Sequence, residues 1–198
     1  MYFSLWLKPQ YFLVMSRKYK IRDQDKLYFV TFTIVEWIDL FTRKDYRDIF
    51  IESLKFCQKN KGLDLCAYCI MSSHIHLIIG RNGEEKIEDV IRDIKKFTSI
   101  KFLEEIRKSP LESRKSFLLE HFGKAGRKNS NNVAFQIWQQ HNHPIELNTT
   151  GKIQRCLNYI HQNPVVAGIV CLPEEYLYSS AKNYAGLTEK LIEVILID

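Results

Sequence analysis

Apolar and polar positions recur with two periods along this chain, and each switch between them marks an element. Residues 28–35 (YFVTFTIV) are aromatic and β-branched between polar flanks, which predicts a strand. Thr42-Arg-Lys-Asp45 has the form of a capping box opening a helix. Phe50, Leu54 and Cys57 then recur at helical spacing, and Asn60-Lys-Gly62 supplies a stop. A second strand is expected over 63–71 and a third over 74–79, joined by Ser72-Ser73. So tight a connection permits only antiparallel pairing. A long helix follows over 86–107, with Ile87, Val90, Ile91, Ile94 and Phe97 as its apolar stripe. Residues 111–122 suggest a short helix, 123–132 (GKAGRKNSNN) a mobile basic loop, and 133–138 a fourth strand. Thr149-Thr-Gly151 precedes a helix over 152–162, expected to end at Asn163-Pro164. This order predicts an α+β fold, an antiparallel sheet with helices packed on one face.

Chemistry concentrates in the third strand, His74-Ile-His-Leu-Ile-Ile79. Strand alternation puts Ile75, Leu77 and Ile79 on one face and both histidines on the other, about 7 Å apart at the backbone. Two imidazoles so placed are a ready pair of metal ligands, or two polar residues on a solvated sheet face. On the helix from Lys152, Ile153, Cys156, Leu157 and Ile160 form an apolar stripe. Arg155, Tyr159 and Asn163 follow at four-residue intervals on one flank, aligning a guanidinium, a phenol and a carboxamide. An ordinary amphipathic helix ending in Asn-Pro would look the same.

Composition narrows the class. The chain has 198 residues, 45% hydrophobic and 26% charged, which suits a domain with a real core and excludes a disordered tail, collagen or a coiled coil. The formal charge of +6 suits a polyanion partner. The excess is local. Residues 17–26 carry five basic and two acidic side chains, and 114–128 carry five and one. Five cysteines at scattered spacing favour a reducing compartment over a disulfide framework. Cys66-Ala-Tyr-Cys69 falls in a strand, where side chains three apart face opposite ways, so buried thiols are expected rather than a metal pair. The opening MYFSLWLKPQYFLVM lacks the positive start of a signal peptide, and Lys8-Pro9 interrupts it as a spanning helix. It is expected to be a loosely attached extension, or to precede the natural start at Met15, with a membrane anchor as the lesser alternative.

Taken together, Cys69-Ile-Met-Ser-Ser-His-Ile-His-Leu-Ile78 and the distant Tyr159-Ile-His-Gln-Asn-Pro-Val-Val-Ala-Gly168 resemble the single-tyrosine HUH transposases, and most closely the REP-associated tyrosine transposase branch. Residues 28–37, Lys95-Lys-Phe-Thr98, Trp138-Gln-Gln140, Asn142-His-Pro144 and Tyr176-Leu-Tyr-Ser-Ser180 carry the same resemblance. It spans about residues 17–186 as one catalytic domain of ferredoxin-like HUH architecture, leaving 1–16 as an apolar extension and 187–198 as an acidic and apolar tail.

The resemblance implies a metal-dependent single-stranded DNA endonuclease and strand transferase acting on hairpin-forming repeats. It makes Tyr159 the nucleophile and His74, His76 and Asn163 the ligands of Mg²⁺ or Mn²⁺. Asn163 stands where classical insertion-sequence relatives carry Gln. Arg155, Lys95, Lys96, Lys124, Arg127 and Lys128 are the candidate contacts to DNA phosphates, and Trp138 is either a base-stacking ring or a core residue. Single-stranded or hairpin DNA is the expected partner, in a cytoplasmic, nucleoid-associated setting, with a homodimer left open. The competing readings are a catalytically silent hairpin-binding protein and a zinc hydrolase built on His74 and His76.

Overall fold

The fold was analysed in a computed structural model that describes residues 20–129 and 134–197. The first 19 residues, and with them the expected extension, lie outside the described part. Strand β1 (Leu27–Thr33), helix α1 (Lys44–Asn60), strands β2 (Leu63–Ile70) and β3 (His74–Arg81), and helices α2 (Ile87–Lys108) and α3 (Lys115–Arg127) come first. Strand β4 (Ile145–Leu147), helix α4 (Thr150–Val166) and the short α5 (Ala181–Tyr184) complete the order. The four strands form one sheet in the order β2-β3-β1-β4, and every pairing is antiparallel. This is the α+β architecture the periodicities predict.

Alternation along β1 and β3 divides the sheet into two working faces. Ile75, Leu77 and Ile79 are fully buried on the face shared with Phe32, whose ring meets Phe50 of α1 edge-on at 5.9 Å. Helices α1 and α2 cover that face. Phe29, Thr31, His74 and His76 lie on the other face, where α4 brings Tyr159 against Phe29 at 6.0 Å. The chain therefore builds its main core on one side and keeps the polar face for α4.

Several boundaries differ from the expectation, each for a local reason. Helix α1 starts at Lys44 without a capping box, because the Thr42 hydroxyl donates to the Asp39 carbonyl instead. In α2 the buried stripe continues through Thr98 and Phe102, while Phe97 is 46% exposed. Residues 123–127 are the end of α3, not a loop. Gly123 and Gly126 are buried, and a Cβ at Gly126 would stand 2.6 Å from the Ala134 carbonyl oxygen. Glycine there permits close backbone approach rather than breaking the helix.

The expected fourth strand over 133–138 begins outside the described residues and from 134 on is reduced to a single bridge between Trp138 and Ile34; the true β4, further on, is only three residues long. Three residues are too few to display a period. Helix α4 runs through Pro164, which costs only one hydrogen bond so near the end, and stops at Gly168 with φ +71°. At its start the Thr149 side chain accepts from the Lys152 N–H.

The free edge of β2 is covered by the chain after α4. Ile70 N–H donates to the Tyr178 carbonyl, Ser180 N–H to that of Tyr68, and Ile195 N–H to that of Leu65. An exposed strand edge would otherwise invite pairing with another chain. His161 on α4 reaches this strap, with Nε2 2.8 Å from the Ser180 hydroxyl and its ring against Tyr184. Helix α4 is thereby pinned to the sheet of its own chain. The five cysteines are free thiols, and burial pushes Cys57 up to about 11 and Cys66 to about 12.

Candidate active site

His74 and His76 project from β3 side by side, their ring centroids 4.8 Å apart. His76 lies opposite Thr31 in the β1 register, and the Thr31 hydroxyl sits 2.9 Å from its Nδ1. Phe29 stacks on the same imidazole at 5.4 Å and 24°. The Ser73 hydroxyl stands 3.3 Å from His74 Nδ1. Each ring therefore has its Nδ1 side engaged by a local hydroxyl. With Nδ1–H donating to that oxygen, the Nε2 lone pair is left to face the site.

Burial sets the protonation states. His76 is 5% exposed and its pKa lies well below the ordinary imidazole value, through burial and then the neighbouring His74. Burial lowers His74 to about 4, and Asp39 opposes that shift. Both rings are neutral at pH 7, the form a metal ligand requires.

Helix α4 delivers the phenol. Tyr159 is 45% exposed, and its hydroxyl lies 3.5 Å from His76 Nε2, with ring centroids 5.1 Å apart. Burial of the ring raises its pKa above 10, and the Asn163 side chain pulls it back. Asn163 donates its amide N–H to the Tyr159 carbonyl at 2.7 Å, which turns its amide oxygen away from the helix backbone. Tyr159 and His76, from two distant segments, thus lie together within one chain.

The candidate cations divide. Arg155 is exposed one turn before Tyr159, with Nη1 3.5 Å from where a Cβ on Gly151 would stand, and it forms no ion pair among the described residues. Lys96 is exposed. Lys95 turns inward instead: its ammonium donates to the Gln139 carbonyl at 2.7 Å, lies over the Phe32 ring at 5.1 Å, and burial lowers its pKa to about 7. Its expected place on an outer basic face is corrected by that burial. Lys124 and Arg127 are exposed on α3, Lys124 paired with Glu120, and Lys128 caps the helix. Trp138 is 4% exposed among Phe32, Phe41, Phe50 and Phe102, which settles it as core.

Three neighbours of the site escaped the sequence reading. Thr31 and Phe29 share a face by alternation, but their place opposite His76 depends on strand register, which no local pattern reveals. Trp37 meets His74 edge-on at 5.4 Å and follows β1 through a turn of positive φ. No described helix is long and apolar enough to cross a membrane.

These features define an α+β domain whose antiparallel sheet presents a His-x-His pair to a tyrosine on a crossing helix. Residues 28–125 match the family described as "Transposase IS200 like", which places this stretch among the IS200-like transposases. The matched segment holds β1 to β3, α1, α2 and most of α3, and therefore the histidine pair, while α4 lies beyond it.

Among solved structures, one titled "Structure of the REP associates tyrosine transposase bound to a REP hairpin" covers 93% of this chain and 94% of its own at 18% identity, with a TM-score of 0.59. It shares the fold over nearly the whole length. A Deinococcus radiodurans protein described as a candidate transposase covers 79% of this chain and 98% of its own at 13% identity and a TM-score of 0.41. No curated protein matches the sequence.

Proposed function

We propose that this chain is a metal-dependent single-stranded DNA endonuclease and strand transferase that acts on hairpin-forming repeats through Tyr159. The observation that carries the reading is the convergence of the Tyr159 hydroxyl and His76 Nε2, 3.5 Å apart, from segments 83 residues distant in sequence. The family match over the histidine strand supports a DNA-processing class, and the hairpin is the ligand named for the relative of like fold.

The donors suit a divalent ion. Two neutral imidazoles through their Nε2 atoms and the amide oxygen of Asn163 would hold it, and phosphate oxygens of the substrate would complete its shell. No group of three or more His, Cys, Asp or Glu able to hold a metal occurs among the described residues, so this mixed set matches Mg²⁺ or Mn²⁺ better than a structural zinc. When bound, the ion would withdraw charge from the scissile phosphate and orient it for in-line attack.

The remaining work falls to the chain. The Tyr159 phenol is protonated at pH 7, so as its oxygen attacks phosphorus its proton passes to solvent, and the departing 3′-oxygen takes one up in return. The P–O bond to the 3′-oxygen breaks, giving a free 3′-OH and a 5′-phosphotyrosine that conserves the bond energy for rejoining. His76 Nε2 has one lone pair and can hold the ion or take the phenolic proton, not both. With Nε2 holding the ion, the phenol would give up its 3.5 Å contact to that atom. Arg155, one turn along α4, is the phosphate-facing cation, with Lys96, Lys124, Arg127 and Lys128 as outer contacts. One chain suffices for one cut. Two coupled cuts need sequential action or a homodimer.

The test is incubation with a panel of single-stranded hairpins and Mn²⁺, scored by a gel shift that survives denaturant. A denaturant-stable adduct that EDTA abolishes is the expected result. Hairpin binding that ignores metal and leaves no adduct would replace this reading with that of a silent binding protein.

A further inference from the structure

Trp37 is out of keeping with the rest of the aromatic residues beside the sheet. It is 51% exposed, whereas Trp138, Phe32, Phe41 and Phe50 close to it in the fold are buried. Its backbone and that of Glu36 both have φ of 56°, a region that side chains larger than glycine rarely adopt. The turn is held there from several sides. Ile34 N–H donates to the Ser73 carbonyl, Val35 N–H to that of Ile137, and Trp37 N–H to that of Ile34. The Glu36 carboxylate is engaged by His121 Nδ1 of α3 at 2.6 Å, and the His121 ring packs on Phe117 at 4.2 Å. A strained, well-braced turn thus presents a half-exposed indole rather than burying it.

Its position gives that exposure a use. The indole touches His74 at 5.4 Å, and from there His76 and Tyr159 follow in a continuous row of ring contacts. A base attached to a phosphate held at the imidazoles is within one nucleotide of the indole. Every base has a π-face, and an exposed indole beside a group of phosphate-holding side chains is the element that single-strand sites use.

We infer that the Trp37 indole is the stacking platform for the nucleobase next to the scissile phosphate, so that this side chain fixes where along an unpaired strand the cut falls. The inference rests on the proposed single-strand chemistry and adds to it a residue that grips base rather than phosphate.

Binding is measured in EDTA, where no strand is cut, by fluorescence anisotropy of a hairpin oligonucleotide with a single-stranded flank. A matched set carries one abasic position at a time along the flank. Trp37→Leu, which keeps apolar bulk without a π-face, should weaken binding about 10- to 100-fold. Trp37→Phe should stay within a few-fold of the wild type. One abasic position should cost the wild type a similar factor and cost Trp37→Leu nothing. The emission of Trp37, isolated by difference against Trp37→Phe, should be quenched by the intact flank and not by that abasic strand.

Equal affinity of Trp37→Leu and the wild type, or abasic losses identical in both, overturns the platform. If the Mn²⁺ adduct still forms in that case, the proposed activity stands and only the role of Trp37 falls. A wild type that binds no strand and forms no adduct overturns both.

Discussion

Replacing His76 with Ala is expected to cut hairpin cleavage by about 10³-fold or more, with non-covalent hairpin binding preserved within a few-fold. An ion at the scissile phosphate supplies several kcal/mol of transition-state stabilisation, and each 1.36 kcal/mol is a factor of ten. His76 is the better of the two histidines to remove. It is the more buried ring, Thr31 fixes its Nδ1 at 2.9 Å, and its Nε2 is the atom that meets the phenol. The assay compares initial cleavage rates with dissociation constants on the same strand, because the proposed contacts that hold DNA are cations and a stacking ring other than His76. Wild-type cleavage by His76→Ala would remove the imidazole pair from the chemistry.

The largest effect on stability is expected at the other described tryptophan. Trp138→Ala should destabilise the fold by about 3–5 kcal/mol, measured by urea unfolding with an unchanged slope. Its indole fills the space between Phe32, Phe41, Phe50 and Phe102 at centroid distances of 5.7 to 5.9 Å. Its N–H donates to the buried Thr98 hydroxyl at 3.0 Å, so truncation leaves a cavity and removes that hydrogen bond, while the hydroxyl keeps its own donation to the Ile94 carbonyl at 2.7 Å. A change of less than 1 kcal/mol would mean that this cluster does not organise the core. Trp37 and Trp138 differ accordingly, one 51% exposed against His74 and one 4% exposed in the core.

The parts of this molecule legible in the sequence are those where one local period dominates. β1, β3 and α1 announce themselves through alternation or three-to-four spacing, and the pairing of His74 with His76 on one face follows from alternation alone. Tyr159 and Asn163 are legible as a helical pair, yet nothing in their spacing says that the helix crosses the histidine face. That placement depends on the strap through residues 176–180 and on His161 reaching Ser180, contacts set by tertiary packing.

Thr31 and Trp37 were illegible for the same reason. Strand register decides the first, and a positive-φ turn braced by α3 decides the second. The misplaced elements share a further cause. Gly123, Gly126 and Pro164 are breakers by local rule, and tertiary contacts overrule them at an allowed position or a close approach. The inward turn of Lys95 is likewise a product of packing, since its neighbour Lys96 stays outside.

The central claim is that the Tyr159 oxygen attacks a phosphate held at the histidine pair of its own chain. Its most direct test is proteolysis and mass spectrometry of the adduct formed with Mn²⁺ and a hairpin strand. The account predicts the 5′-phosphate on the peptide that contains Tyr159, and no adduct at all from Tyr159→Phe. A covalent adduct in Tyr159→Phe, or one mapped to another side chain such as Tyr176 or Tyr178, would contradict it.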